Sequence, residues 1–467
     1  MDASTIAAIA TPPGEGGVGV IRISGDDAAD LAALVFRSGK SGQPVRLRES
    51  RSHRLIYGRV VNPDSEEMID EAVLGWMAGP HSYTCEDTVE LSCHGSSVAV
   101  HETLRAVLAA GARHAEPGEF TLRAFLNGRL DLTQAEAVLN VVSARTSEGL
   151  HLAVLDLAGD LTRRLRPARD AVVSLLAYLD AAADFPEDEI TPTDVDLDLS
   201  TAIRALDAVI AGSHAGQLYR DGVQIALVGR PNVGKSSLMN ALLRSDRAIV
   251  TPIAGTTRDV ISETFNLQGI SATLLDTAGI ADSADLVEQL GIERSHRAVA
   301  AAAAAILVID GSAEPLPEDI AVARLLQARL PESGLPAPVV IAVNKSDIPT
   351  QQSQGAVAAL LPGCPVVAIS AQTGDGLPFL EETIVRVLGG GPAASVTPAV
   401  ITVRQHSSLD RAAMHLREAS AARATGYPID LLAVDVRAAL HAIGQVTGEA
   451  VDEAVLTEIF SRFCIGK

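Results

Sequence analysis

One octapeptide constrains this chain more than any other feature. Gly229-Arg-Pro-Asn-Val-Gly-Lys-Ser236 fits GxxxxGK[ST], with the apolar strand QIALVG running into it and the helical run SSLMNALL following. Such a turn aims backbone N–H groups at phosphate oxygens, and the helix N-terminus adds positive potential. Lys235 is placed to reach the outer phosphates and Ser236 to hold Mg²⁺. The segments that follow continue the same regime. SATLLDTAG, AAILVIDG, APVVIAVNKSD and PVVAIS read as apolar strands, with helical patterns at Lys235–Leu243, Leu286–Ala298, Ile320–Leu330 and Pro378–Leu388 between them. Buried strands alternating with helices predict a doubly wound, mostly parallel sheet.

Four companions follow the loop in order. GTTRD (Gly255–Asp259) supplies Thr257 as a second Mg²⁺ ligand in a switch segment. DTAG (Asp276–Gly279) ends a strand, with Asp276 behind the metal and the Gly279 N–H toward the γ-phosphate. NKSD (Asn344–Asp347) ends another strand, and Asp347 can accept two hydrogen bonds from a guanine edge, a pairing adenine cannot offer. Ser370-Ala371 closes the set against the base. The series resembles the translation-factor-related branch of P-loop GTPases and predicts GTP binding. Catalysis is less direct, because Ile280 stands where Ras-like enzymes place a water-orienting Gln. Two replacements are open, an acidic residue further along the switch or a group supplied in trans. Glu288, at the start of a helical pattern, is the candidate for the first; an ordinary surface-helix glutamate is the alternative.

Outside this module the pattern changes twice. Up to about Pro117, short strands such as GVGVIRISG, RLIYGRVVN, EAVLGWMAG and TVELSCHG alternate with turns, with a helix near Val98–Ala110. That reads as an α+β domain. From Thr121 to about Tyr219 the chain is helical, with apolar spacing of three to four in Leu130–Ala144, Leu150–Arg166 and Val172–Ala183. Helix returns over Leu409–Lys467 after a break at Gly389–Pro392. The alanine run Ala300–Ala305 reads as a helix end, and the acidic string around Glu187–Glu189 as a solvated linker.

The 467 residues suggest about three domains. A balance of 37 basic against 58 acidic residues, net −21, opposes unaided binding to nucleic acid, so any RNA work needs a local basic pocket or a more basic partner. Aromatics at 3% argue against a base-stacking platform. Cys85, Cys93, Cys364 and Cys464 form no CxxC pair and predict a reducing, cytoplasmic setting. No apolar run approaches the roughly 18 residues a membrane span needs.

Four further stretches carry a resemblance over nearly the whole length: TPPGEGGVGVIRISG (Thr11–Gly25), SYTCEDTVELSCHG (Ser82–Gly95), PGEFTLRAFLNGRLDLTQAEAV (Pro117–Val138) and the terminal FCIGK (Phe463–Lys467). In that order around the GTPase core they resemble the MnmE (TrmE) family of tRNA modification GTPases. The resemblance implies a tetrahydrofolate-binding and dimerising N-terminal α+β domain at 1–118, a discontinuous helical domain at 119–220 and 390–467, and an inserted GTPase domain at 221–389. It implies a homodimer that works in a heterotetramer-type complex with the FAD-dependent flavoprotein MnmG (GidA). Together they place an aminomethyl or carboxymethylaminomethyl group on carbon 5 of the wobble uridine of certain tRNAs. The one-carbon unit comes from 5-formyltetrahydrofolate or another tetrahydrofolate derivative.

Residue by residue, the resemblance implies a GTP-binding set of Asn232, Val233, Gly234, Lys235, Ser236 and Ser237, then Thr251, Pro252, Ile253, Ala254, Gly255, Thr256 and Thr257. Asp276, Thr277, Ala278 and Gly279, with Asn344, Lys345, Asp347, Ser370 and Ala371, complete it. Asn232, Thr251, Ile253 and Thr256 hold the place of the family's K⁺ shell, and Glu288 that of its water-positioning glutamate. Arg22, Glu90, Arg129 and Lys467 hold the place of its folate pocket. Four positions depart from the usual pattern: Arg129 stands for Lys, Cys85 for Gly, Glu15 for Arg, and Ala281 for an Arg after DTAG. The rival reading is a ribosome-assembly GTPase, a binding switch without modification chemistry. A third makes the N-terminal domain a folate-dependent transferase regulated by the GTPase; His53, His81 and His94 are its candidate bases, and no residue declares itself as nucleophile.

Overall fold

The structure, a computed structural model, describes residues 4–184, 194–245, 262–276, 302–328, 338–349, 354–389 and 398–466, with the Asp276 side chain outside that set. Thr251 to Thr257, Thr277 to Gly279, Glu288, Lys467, the acidic string and the helix expected at Leu286–Ala298 lie outside the described residues. The chain divides into two compact units, 1–139 with 441–467, and 140–440.

The first unit is built on β1 (Ile6–Ile9), β2 (Gly16–Ser24), β3 (Phe36–Ser38), β4 (Arg54–Val61), β5 (Met68–Met77), β6 (Thr88–Gly95) and β7 (Arg113–His114). They pair in the order β3-β4-β5-β6-β2-β1-β7, antiparallel except for β1 with β7. Alternation drives the sheet: Ala72, Leu74 and Trp76 of β5 are buried on one face. That face meets α1 (Ala28–Val35) and α2 (Ser97–Ala109) in one core containing Ile21, Ile23, Leu91, Ala29, Val35 and Val107. Ser96 caps α2 by accepting from the Ala99 N–H at 3.1 Å. After β7 come α3 (Glu119–Leu126) and α4 (Leu132–Ser143). The terminal helix Glu453–Ser461 places Ile459, Phe460 and Phe463 in a small core with Leu132 and Ala135. Strand β1 was not legible in the sequence, because IAAI is too short to separate strand from helix.

The second unit opens with α5 (Ser147–Leu157), α6 (Asp160–Asp184) and α7 (Val195–Asp221). The helix expected over Leu150–Arg166 is broken earlier, at Gly159, whose φ of 83° ends α5. Helix α6 then runs unbroken through Pro167, because Leu165, Ala168, Val172, Leu175 and Leu179 form one buried face across that position. The six-stranded sheet contains β8 (Val223–Val228), β9 (Ser262–Leu267), β10 (Ile270–Asp276), β11 (Ala304–Asp310), β12 (Val339–Asn344) and β13 (Val366–Ala368), in the order β13-β12-β11-β8-β10-β9. It is parallel except at β9, an antiparallel edge made by the Gln268–Gly269 turn. All seven residues of β11 are buried, as a strand covered on both faces requires. The alanine run is a correction: Ala304 and Ala305 open strand β11, because that register pairs them with Ile225 and Ala226 of β8.

Around the sheet lie α8 (Lys235–Ser245), α9 (Pro317–Ala328), α10 (Gln354–Ala358) and α11 (Leu377–Val387). Helix α12 (Val403–Ala424) brings the chain back to α7, where the Ala399 N–H donates to the Gly212 carbonyl at 3.1 Å. A capping box of Thr402 and Gln405 starts α12, and α13 (Ile429–Thr447) follows.

Candidate functional site

The phosphate loop leaves β8 and enters α8, and its conformation follows from its glycines and asparagine. Gly229, Asn232 and Gly234 take positive φ of 153°, 64° and 96°, so three residues of the loop adopt backbone that favours glycine. Lys235 is almost wholly buried and donates its ammonium to the carbonyls of Gly229 (2.8 Å) and Arg230 (2.9 Å). Val233 is buried beneath the loop, while Asn232, Ser236 and Ser237 are exposed. The Ser236 hydroxyl, in the first turn of α8, is a hard oxygen donor suited to Mg²⁺.

The loops after β12 and β13 lie against this loop. At the end of β12, Asn344 donates from Nδ2 to the Val233 carbonyl at 2.9 Å and accepts at Oδ1 from the Ala371 N–H at 3.0 Å. One buried amide thus ties the phosphate loop to the Ser370-Ala371 loop. Asp347 accepts from the Ser370 hydroxyl at 2.5 Å, and that hydroxyl oxygen also accepts from the Thr373 N–H at 3.1 Å. Asn232, Val233, Gly234, Lys235, Ser236, Ser237, Asn344, Lys345, Asp347, Ser370 and Ala371 therefore fall on the phosphate loop with the first turn of α8, the end of β12 with the loop after it, and the Ser370-Ala371 loop, which adjoin at the carboxyl ends of β8, β12 and β13. Asp276 ends β10 beside β8, pairing in register with Leu227.

In the first unit, Arg22 and Glu90 are direct partners across β2 and β6, with Nε donating to Oε1 at 2.9 Å. The Arg22 guanidinium lies 5.3 Å from the centre of the Tyr83 ring and 5.7 Å from that of Phe120, and Arg129 lies 4.8 Å from the Tyr83 ring. Arg22 also donates to the Gly466 carbonyl at 3.4 Å, so the terminal tail reaches the same cluster. Gly466 has φ of 94°, and a Cβ there would lie 2.1 Å from the Ile9 carbonyl oxygen, so only glycine closes this approach. Below the cluster, Arg123 bridges Glu86 and Glu119 at 3.1 and 3.0 Å. Burial pushes the Glu119 carboxyl up, but Arg113, the Glu116 N–H and Arg123 outweigh it and hold it below its ordinary value. This network anchors α3, which carries Phe120 and the Thr121 hydroxyl bonded to Tyr83 at 2.9 Å.

Elsewhere among the described residues, ligand atoms of His415, Glu418 and Asp435 lie within 4.8 Å of one another. His415 Nδ1 is 3.2 Å from Asp435 on α13 and 3.5 Å from Glu418, one turn along its own helix α12. No helix among the described residues is long and apolar enough to cross a membrane.

A family model described as the MnmE helical domain matches residues 132–464, and one described as the GTP-binding protein TrmE N-terminus matches residues 5–129. The tRNA modification GTPase MnmE of Chloroflexus aurantiacus is 50% identical over 468 residues, 99% of each chain. The chain belongs to the tRNA modification GTPase MnmE family. Similar proteins of that name from Roseiflexus castenholzii and Enterococcus faecalis are 48% and 40% identical, with at least 99% of each chain covered.

Two members of the MnmE N-terminal cluster were missed from sequence. Tyr83 and Phe120 supply the rings beside Arg22, and the available signal was their rarity, with 5 Tyr and 8 Phe in the whole chain. Cys85 takes φ of 63°, a left-handed conformation that suits glycine and costs another residue about 1 kcal/mol.

Proposed function

We propose that this MnmE-family chain is a GTP hydrolase acting in tRNA modification. The observation that supports GTP most directly is the Asn344 amide, which joins the phosphate loop to the base loops, with Asp347 held by Ser370. Asp347 accepts from the guanine N1–H and amino group. Lys235 exchanges its two backbone carbonyls for phosphate oxygens. Ser236, with Thr257, ligates Mg²⁺, and Asp276 stands behind the metal. Asn232, with Thr251, Ile253 and Thr256, holds K⁺, which supplies positive charge toward the phosphates. Glu288 positions the attacking water.

The N-terminal cluster suits a tetrahydrofolate. A planar heterocycle with an amino edge fits Glu90 and the Tyr83 ring, and an anionic tail fits Arg22, Arg129 and Lys467. The domain layout is N-terminal 1–118, helical 119–220 with 390–467, and GTPase 221–389. The chain forms a homodimer through its N-terminal domains and acts with the FAD-dependent MnmG in the cytoplasm on the wobble uridine of certain tRNAs. A net charge of −21 supports a division in which the partner offers much of the tRNA surface.

The deciding experiment is mass spectrometry of nucleosides from tRNA of cells lacking this protein. Loss of carbon-5 aminomethyl-type groups at the wobble uridine, restored by the wild type but not by Asp276→Ala, supports the proposal. An unchanged nucleoside profile beside a ribosome-subunit defect replaces it with an assembly role.

A further inference from the structure

Four charged groups alternate in sign beneath the nucleotide loops. Asp310, the last residue of β11, places Oδ2 2.7 Å from the Lys345 ammonium and 3.7 Å from the Arg230 guanidinium. Arg230 in turn donates from Nε to Asp319 Oδ2 at 3.2 Å, and that oxygen also accepts the Leu316 N–H at 3.0 Å. Oδ1 of Asp310 accepts from the Ser312 N–H at 3.0 Å and from its hydroxyl at 2.6 Å, so the carboxylate cannot swing away. Burial pushes the Asp310 carboxyl up, yet Lys345 and Ser312 outweigh it and hold it below its ordinary value. Asp319 is 1% exposed, and its Oδ1 has no hydrogen-bond partner among the described residues, so Arg230 is what balances its charge.

A buried ion-pair chain is weak evidence of stability in itself. Its attachment points carry the argument. Arg230 belongs to the phosphate loop, and its own carbonyl accepts from the Lys235 ammonium. Lys345 lies between Asn344 and Asp347, with φ of 68°, a conformation that costs a residue with a side chain about 1 kcal/mol and needs a compensating contact. Its ammonium bond to Asp310 is that contact.

We propose that Asp310 is a positioning residue of the nucleotide site: it pins Lys345 beside the base-reading Asp347 and, through Arg230, holds the phosphate loop in register with it. This rests on the GTP reading above. Asp310 touches no nucleotide itself and acts only through the two cations.

The test is a double-mutant cycle on the full chain, read by equilibrium binding of a fluorescent GDP to the wild type, Asp310→Asn, Lys345→Met and the double variant. Asparagine at 310 still accepts from Ser312 but carries no charge for Lys345. Each single change is expected to weaken binding about tenfold, and the double variant to bind no more weakly than the weaker single. Multiplied losses, about a hundredfold in the double variant, overturn the proposal, because Asp310 would then act through β11 rather than through Lys345. If Asp310→Asn does not fold, the cycle is run with Arg230→Gln against Lys345→Met, where multiplied losses again overturn it. A wild type that does not bind the fluorescent GDP overturns the nucleotide reading itself, an outcome distinct from failure of the cycle.

Discussion

Gly234 and Asn344 are in direct contact: a Cβ added to Gly234 would lie 2.2 Å from Nδ2 of Asn344. The phosphate loop and the end of β12 are thus packed with no room for one methyl group, and the φ of 96° at Gly234 adds a second barrier to any other residue. Gly234→Ala should therefore lower GDP affinity by at least about tenfold, since the backbone strain and the clash together exceed 1.4 kcal/mol. Titration with a fluorescent GDP measures it, and unchanged affinity would show that the two loops move independently.

Asn344 is 2% exposed and serves both loops at once. Asn344→Ala strands the Val233 carbonyl and the Ala371 N–H, at a cost of about 1–3 kcal/mol for each group left buried without a partner. The thermal midpoint should fall and GDP binding should weaken together. A loss of binding at an unchanged midpoint would mean that water satisfies both groups.

Asp347 has acceptors only, whereas an amide offers a donor in the same place. Asp347→Asn should exchange guanine for xanthine preference, because xanthine presents a carbonyl where guanine presents its amino group. Competition between GTP and xanthosine triphosphate for the variant decides this, and retained guanine preference would remove Asp347 from base recognition.

Asp156, on α5, is 7% exposed, and its Oδ2 has no hydrogen-bond partner among the described residues. Burial and the neighbouring Asp160 charge push its carboxyl up to about 7, with Arg164 opposing. The folded state then holds a proton that the unfolded chain has released, so stability falls as pH rises from about 4 to about 7 and is level above that. Asp156→Asn should flatten that slope and stabilise the protein at pH 8 by on the order of 2 kcal/mol. Urea midpoints at pH 5 and pH 8 test it; an equal pH slope in both proteins would mean that Asp156 ionises normally.

Cys85 occupies a left-handed position, with φ of 63°. Cys85→Gly should raise stability by about 0.5–1 kcal/mol, since relief of the backbone strain outweighs the added freedom of the unfolded chain. A lower urea midpoint for the variant would show that the thiol contributes packing larger than the strain.

Much of the second unit was legible because its signals are local. The run QIALVG followed by a glycine-rich turn and a helix specifies strand, loop and helix within a few residues, and β8, the loop and α8 follow that order. Likewise the motif order assigns Asn344, Lys345 and Asp347 to one loop without reference to any contact. Local patterns also misled. The patterns at Leu150–Arg166 and Val172–Ala183 run across Gly159 and leave a gap at Pro167, but a left-handed glycine ends α5 while the buried face of α6 outweighs one missing hydrogen bond. Ala304 and Ala305, at the start of β11, suit a helix by propensity, and sheet pairing overrode it.

What the sequence determined by itself is the kind of chemistry: a P-loop GTPase motif series and the family it belongs to. Only the tertiary structure decided which distant residues share a site. Arg22 and Arg129 were grouped by the resemblance, but Tyr83, Phe120 and Gly466, which lie far apart along the chain, joined them only through the fold. The same holds for Arg230, Asp310, Asp319 and Lys345, which come from four separate segments. Sequence patterns report interactions over the few residues of a turn or a helical repeat, whereas these groups meet because sheet order and helix packing fold distant segments together, and partners at that range leave no periodic trace.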